Sequence, residues 1–215
     1  LPSFDPARQH LVAPVAVDPT GRRGPTRGQA QGPAWRRSSH GLYVPMDSPR
    51  DLPEQRIVEA AARLPEYGGV TGWAALRWWG GAWFDGLARD GVTPLPVTLA
   101  VGGITVSRGQ GVRISEERLS PDDLTTHDGL RLTTAVRSAA FEMRYAASER
   151  AAVAILDMAA YSDLVSIEEM WLFAAGLNGW TGVPRLRCAV PAADENSWSL
   201  QETLMRLVWT VDADR

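Results

Sequence analysis

The chain has 215 residues, 45% of them hydrophobic and 22% charged, and a formal net charge of −3. That length suits one generous domain or two small ones with a substantial core, and no apolar run reaches the roughly 18–20 residues that a membrane-spanning helix needs. One cysteine, Cys188, excludes an internal disulfide framework and a Cys-rich zinc site, and three histidines, at 10, 40 and 127, leave little for another kind of metal site. With no charged-then-apolar leader profile at the start, the expectation is a cytoplasmic protein with no metal and no cofactor.

All 22 basic residues are arginine. This fits a GC-rich coding background as well as selection for DNA contact. The charge is uneven: residues 1–50 carry seven Arg against three Asp (+4), and the remainder carries 15 Arg against 22 acids (−7). A basic head on an acidic body suits a small DNA-binding module joined to a partner-binding one. The same layout occurs in proteins that bind neither.

Residues 1–34 are interrupted by Pro2, Pro6, Pro14, Pro19, Pro25 and Pro33. Leu11–Val17 reads as an extended edge segment, and one short helix fits between Pro25 and Trp35, weakened by Gly28 and Gly32. Arg36–Pro45 reads as a basic turn entering a strand, and His40 lies in that turn. A helix is predicted over 52–64, with Pro53 in its first turn. A second follows Thr71 as N-cap, carries Trp73, Leu76, Trp78 and Trp79, and ends at Gly80-Gly81. Residues 95–106, 111–115 and 130–132 read as strands, the first two paired as a hairpin around Gly102-Gly103.

From Thr134 onward the periodicity is helical, at Val136, Ala139, Ala140 and Met143, then at Ala152, Val153, Leu156 and Ala160. Ser166 with Glu169 and Ser199 with Glu202 predict capping boxes, and a further helix is expected over 182–190. The resulting fold class is α+β: a small N-terminal module over 1–50, a mixed body over 51–193 with a short antiparallel sheet and several helices, and a helix over 194–215.

Catalytic signatures are sparse. There is no GxSxG elbow, and without lysine there is no GxxxxGKS/T phosphate loop. Cys188, beside Ala189 and Val190, reads as a small core residue, and His127 as a solvated turn residue. The acid pairs 122–123 and 168–169 suit helix starts; a two-metal nuclease would need acids converging in space, which spacing leaves open. No catalytic residue is assigned. Trp73, Trp78, Trp79 and Trp83 read first as a core helix that buries Trp73, Leu76 and at least one of Trp79 and Trp83 against the sheet. The second reading gives Trp78, Trp79 and Trp83 to a protein partner, and base stacking is the third.

Four stretches together resemble a known family. Residues 27–45 (RGQAQGPAWRRSSHGLYVP) look like the recognition helix and wing of AbiEi-like antitoxins, which are winged-helix transcriptional regulators. Residues 70–80 (VTGWAALRWWG) resemble the helix that follows, 129–138 (GLRLTTAVRS) a strand-to-helix step, and 164–169 (LVSIEE) a later capped helix. The resemblance implies a winged-helix-like module that binds its own promoter through Arg22, Arg23, Arg27, Arg36, Arg37 and His40, with the helix before Trp35 in a groove, and a toxin protein as a possible partner. Residues 1–24 depart from the pattern, lacking the two helices that normally precede a recognition helix. Residues 199–212 resemble the first helix of the PD-(D/E)xK nuclease-like domain that follows in actinobacterial relatives. Two alternatives therefore stand beside the regulator: a truncated nuclease whose catalytic residues would lie beyond 215, and a protein-interaction module with no DNA role whose acidic body holds a basic partner.

Overall fold

The computed structural model describes residues 8–106 and 109–212; Pro2, Pro6 and the end of the helix at 213–215 lie outside the described residues. The architecture is α+β, with two sheets and, among the described residues, seven α-helices. Contacts divide the chain into two compact units, Leu1–Val70 with Gly86–Leu132, and Thr71–Asp85 with Thr133–Arg215.

The first unit opens with a small antiparallel sheet of β1 (Val15–Ala16), β2 (Trp35–Ser39) and β3 (Leu42–Pro45), in the order β1-β3-β2. The edge segment expected at Leu11–Val17 is β1. The short helix expected before Trp35 is only a 3-10 turn at Gln29–Gln31, bracketed by Gly28 and Gly32. Each glycine disfavours helix by about 1 kcal/mol relative to alanine. Helix α1 (Pro53–Ala61) has Pro53 in its first turn, buries Ile57, Val58 and Ala60, and packs on β5.

The second sheet has the order β6-β5-β4-β8-β7, built from β4 (Gly69–Thr71), β5 (Val97–Ala100), β6 (Val112–Ser115), β7 (Leu124–His127) and β8 (Leu130–Thr133). All four residues of β5 are buried, as expected of a strand covered on both faces. The hairpin expected for residues 97–101 and 111–115 is overturned. Val97 pairs with Val112 and Ala100 with Ser115, so β5 and β6 are parallel. The connection reverses twice: Gly102 and Gly103 turn the chain at φ 57° and 87°, and Gly111 turns it again at φ 72°. A hairpin sits instead at Asp128 (φ 43°) and Gly129 (φ 75°), the left-handed pair that a two-residue turn requires. His127 thus ends β7 and is half-buried.

The second unit holds α2 (Trp73–Trp78), α3 (Ala135–Tyr145), α4 (Glu149–Tyr161), α5 (Ile167–Gly176), α6 (Val183–Ala189) and α7 (Leu200–Leu207), with a π-helical turn at Val208–Asp212. Ala139, Ala140 and Met143 of α3 and Ala152, Val153 and Leu156 of α4 are buried, as their spacing predicts. Ser166 and Glu169 form the expected capping box. At α7 only half the box forms: Ser199 accepts from the Glu202 amide, but the Glu202 carboxylate accepts from Trp198 N at 2.9 Å. Thr71 is not the cap of α2. Gly72 holds that place, the Trp73 amide donates to Glu142 Oε1 at 2.9 Å, and the Thr71 hydroxyl accepts from Thr133 at 2.8 Å. Cys188 is exposed, because Leu186 and Ala189 take the inward positions of α6.

One carboxylate anchors the end of this unit. Asp157 of α4 is fully buried and accepts from Asp194 N (2.8 Å), Thr203 Oγ1 (2.6 Å) and Arg206 Nη2 (2.6 Å). Removing this buried acceptor leaves the Asp194 amide and the Thr203 hydroxyl unsatisfied, at a cost on the order of 3 kcal/mol, while the half-buried Arg206 keeps Asp194 at 3.9 Å. Asp157→Ala is therefore expected to lower the urea midpoint by a stability loss of that size; an unchanged midpoint would refute the anchoring role.

Candidate nucleic-acid interface

The basic residues of the N-terminal segment fall into distinct environments. Strand alternation sends Arg36 and Ser38 to one side of β2, where both meet Glu59 of α1. Arg36 donates in a fork, Nη1 to Oε2 at 2.9 Å and Nη2 to Oε1 at 2.5 Å, and Ser38 Oγ donates to Oε2 at 2.8 Å. Gln55 Nε2 adds a fourth bond at 3.0 Å. Burial alone would raise the pKa of Glu59, but these hydrogen bonds hold it below the ordinary carboxylate range. Arg36 is thus engaged in folding, with 13% of its side chain exposed.

Arg37 points the other way and is exposed, donating through Nη2 to His40 Nδ1 at 2.9 Å and through Nε to Ser39 O at 3.1 Å. His40 is exposed at the β2–β3 turn. Arg22, Arg23 and Arg27 are exposed too, and among the described residues their guanidinium groups have no hydrogen-bond or ion-pair partner.

Arg22 and Arg23 ride on a fixed loop. The Asp18 carboxylate accepts from the backbone amides of Thr20 (2.9 Å), Arg22 (3.0 Å) and Arg23 (2.8 Å) and from the Thr20 hydroxyl. Gly24 closes the loop against β1 so tightly that a Cβ there would lie 2.1 Å from Ala16 O. Loop, β1 and Trp35 line an open cleft of about 420 Å³. The cleft is not legible in the sequence, because the pairing of Trp35 with Pro45 that places both at one end of the sheet is a matter of register.

The tryptophans separate. Trp73 is 4% exposed and Trp78 fully buried, so Trp78 has no surface to offer a partner. Trp79 is half-buried and its indole donates to Thr133 O at 3.2 Å; Trp83 is 41% exposed and stands edge-on to Phe84. More exposed apolar side chains lie elsewhere: Trp171 and Leu172 on α5, Trp198 before α7, and Met205 and Trp209 along the last helix. The signal for α5 was present in its sequence, which has no polar residue after Glu169.

Among the described residues, no group of three or more His, Cys, Asp or Glu could hold a metal ion, and no helix is long and apolar enough to cross a membrane. No family model, curated protein or solved structure matches the chain.

The Asp18 carboxyl is held at about 2, chiefly by the Arg23 amide and then by Thr20, below its ordinary 3.8. A lowered pKa means that the loop gains stability from the carboxylate above the unfolded value and loses it as pH falls towards the folded one. The expected outcome is that the Asp18 carboxyl ¹³C shift titrates near pH 2, with the loop loosening between about pH 4 and 2; a midpoint at the ordinary aspartate value would refute the locked loop.

Proposed function

We propose that the protein is a DNA-binding regulator of antitoxin type, which contacts duplex DNA of its own promoter through the N-terminal module. The observation that carries this reading is the set of exposed arginines 22, 23 and 27, whose guanidinium groups are without partners among the described residues, on the same segment as the Arg37–His40 turn. Such groups neutralise phosphates and release counterions, which gives affinity without sequence information. In this reading the β2–β3 hairpin would serve as a wing, whereas the helix expected before Trp35 is reduced to the three-residue turn at Gln29–Gln31, so the reading is carried by phosphate contacts and not by a helix in a groove. Arg36 has a supporting role, since its fork already holds Glu59.

A partner toxin is the second part of the reading. Its support is the apolar exposure on α5 and α7, with Trp171 at 53%, Leu172 at 71% and Met205 at 63%. Exposed apolar patches are a feature of interaction surfaces. Trp171→Ser/Leu172→Ser should release a co-expressed toxin in a pull-down while leaving the DNA shift intact; retention of the toxin would remove these residues from the interface.

The DNA test is the salt dependence of promoter binding. Each phosphate contact contributes a log–log slope near −0.9, so Arg22→Ala/Arg23→Ala should flatten the slope by about two units. Arg36→Ala should instead lower stability by about 1–3 kcal/mol, since the half-buried Glu59 then keeps only Ser38 and Gln55. Failure of the intact protein to shift any promoter fragment at low salt would end the DNA-binding reading.

A further inference from the structure

The N-terminal module has a feature that duplex binding does not need. Phosphates of a double helix require exposed cations, but here two of the cations stand at the rim of an apolar cleft. Its walls include Val12, Val15 and Pro45, Trp35 contributes an indole, and Arg22 and Arg23 line the loop side. About 420 Å³ is within the range of small-ligand sites and is enough for one nucleotide. The loop is fixed before any ligand arrives: Asp18 gathers three of its amides, and Gly24 leaves no room for a side chain against Ala16.

We propose that this cleft binds a single unpaired nucleotide, with the base against Trp35 and the phosphate on Arg22 and Arg23. Each part of the ligand answers one part of the site. Two arginines among the lining residues suit a phosphate dianion, whereas a lone carboxylate is satisfied by one. An indole between aliphatic walls suits a flat ring, and stacking on it is open to any base. Inorganic phosphate would leave the apolar walls unused, and a neutral ring would leave the arginines unused. A base inside a duplex cannot enter, because its faces are already stacked. The nucleotide comes either as a free nucleoside monophosphate or as an unpaired residue of a nucleic-acid strand.

The full-length protein is titrated calorimetrically with thymidine 5′-monophosphate, oligothymidylate, thymidine and inorganic phosphate. Binding of the monophosphate assigns the free nucleotide as a source; binding of oligothymidylate alone assigns the strand. In either case Trp35→Ala should weaken binding about 10-fold or more, and Trp35→Phe, which keeps a ring, should retain most of it. Val15→Trp, which fills the cleft, should abolish binding while the thermal midpoint holds. Arg22→Ala/Arg23→Ala should reduce affinity for the monophosphate to that for thymidine. The proposal is overturned if none of the four binds, or if inorganic phosphate binds as well as the monophosphate and Trp35→Ala changes nothing. Promoter duplex is run in parallel: it depends on the arginines and not on Trp35, so loss of duplex binding and loss of nucleotide binding are separate results.

Discussion

A half-buried carboxylate on α1 holds the N-terminal module together. Glu59 would be costly to remove from water alone, and its two oxygens are met by Arg36, Ser38 and Gln55. Gln55, one helical turn earlier, accepts from Val12 N at 2.9 Å and donates to Val12 O at 2.8 Å. Two residues of one helix thereby fasten two distant pieces of chain, the segment leading into β1 and strand β2. The position of Trp35 follows from this fastening. With Arg36 and Ser38 drawn to Glu59, the alternation of a strand directs Trp35 and Arg37 to the opposite side. The cleft and the exposed face of β2 depend on the same carboxylate.

A chain without lysine uses arginine for structure, and this changes what charge counting can say. Arg131 donates to the carbonyls of Pro65 and Glu66, Arg56 to those of Gly86 and Leu95, and Arg187 to those of Ala174 and Leu177. A planar fork can serve two carbonyls at once, which an ammonium does less well. Arg137 and Arg144 are buried with their guanidinium carbons 4.9 and 5.1 Å from the ring of Trp180, an arrangement that rests on the ring quadrupole. The +4 of the first fifty residues therefore overstates the cations offered to solvent. Arg36 is spent on Glu59, and Arg8 pairs with Asp128 at 2.8 Å.

Local signals were legible and pairings were not. The caps at Ser166 and Ser199, the periodic faces of α3 and α4, and the proline start of α1 all follow from a few neighbouring residues. The direction of β6 relative to β5 depends on two reversals in an eleven-residue connection, which composition does not encode. The Asp128-Gly129 hairpin was legible in principle, since Asp-Gly is a strong two-residue turn signal. At the site, the exposed Arg22, Arg23 and Arg27 could be named from composition. The fate of Arg36 could not, because Glu59 lies 23 positions away and meets it only after β2 has docked. Trp78 reads like its neighbour Trp79, yet one is enclosed and the other half-exposed.

An acid in a basic loop looks like a loss of positive field, and Asp18 shows why it is not. Its charge is turned onto the amides of residues 20, 22 and 23, so the carboxylate is occupied from within the loop while the guanidinium groups of Arg22 and Arg23 remain directed to solvent. Held at about 2, it stays ionised at any physiological pH. A loop without this clamp would have to be ordered by its ligand, and each ordered residue would subtract from affinity. The carboxylate gives up one unit of net charge and fixes the backbone that presents two, which favours any phosphate ligand by preorganisation more than by the strength of the field.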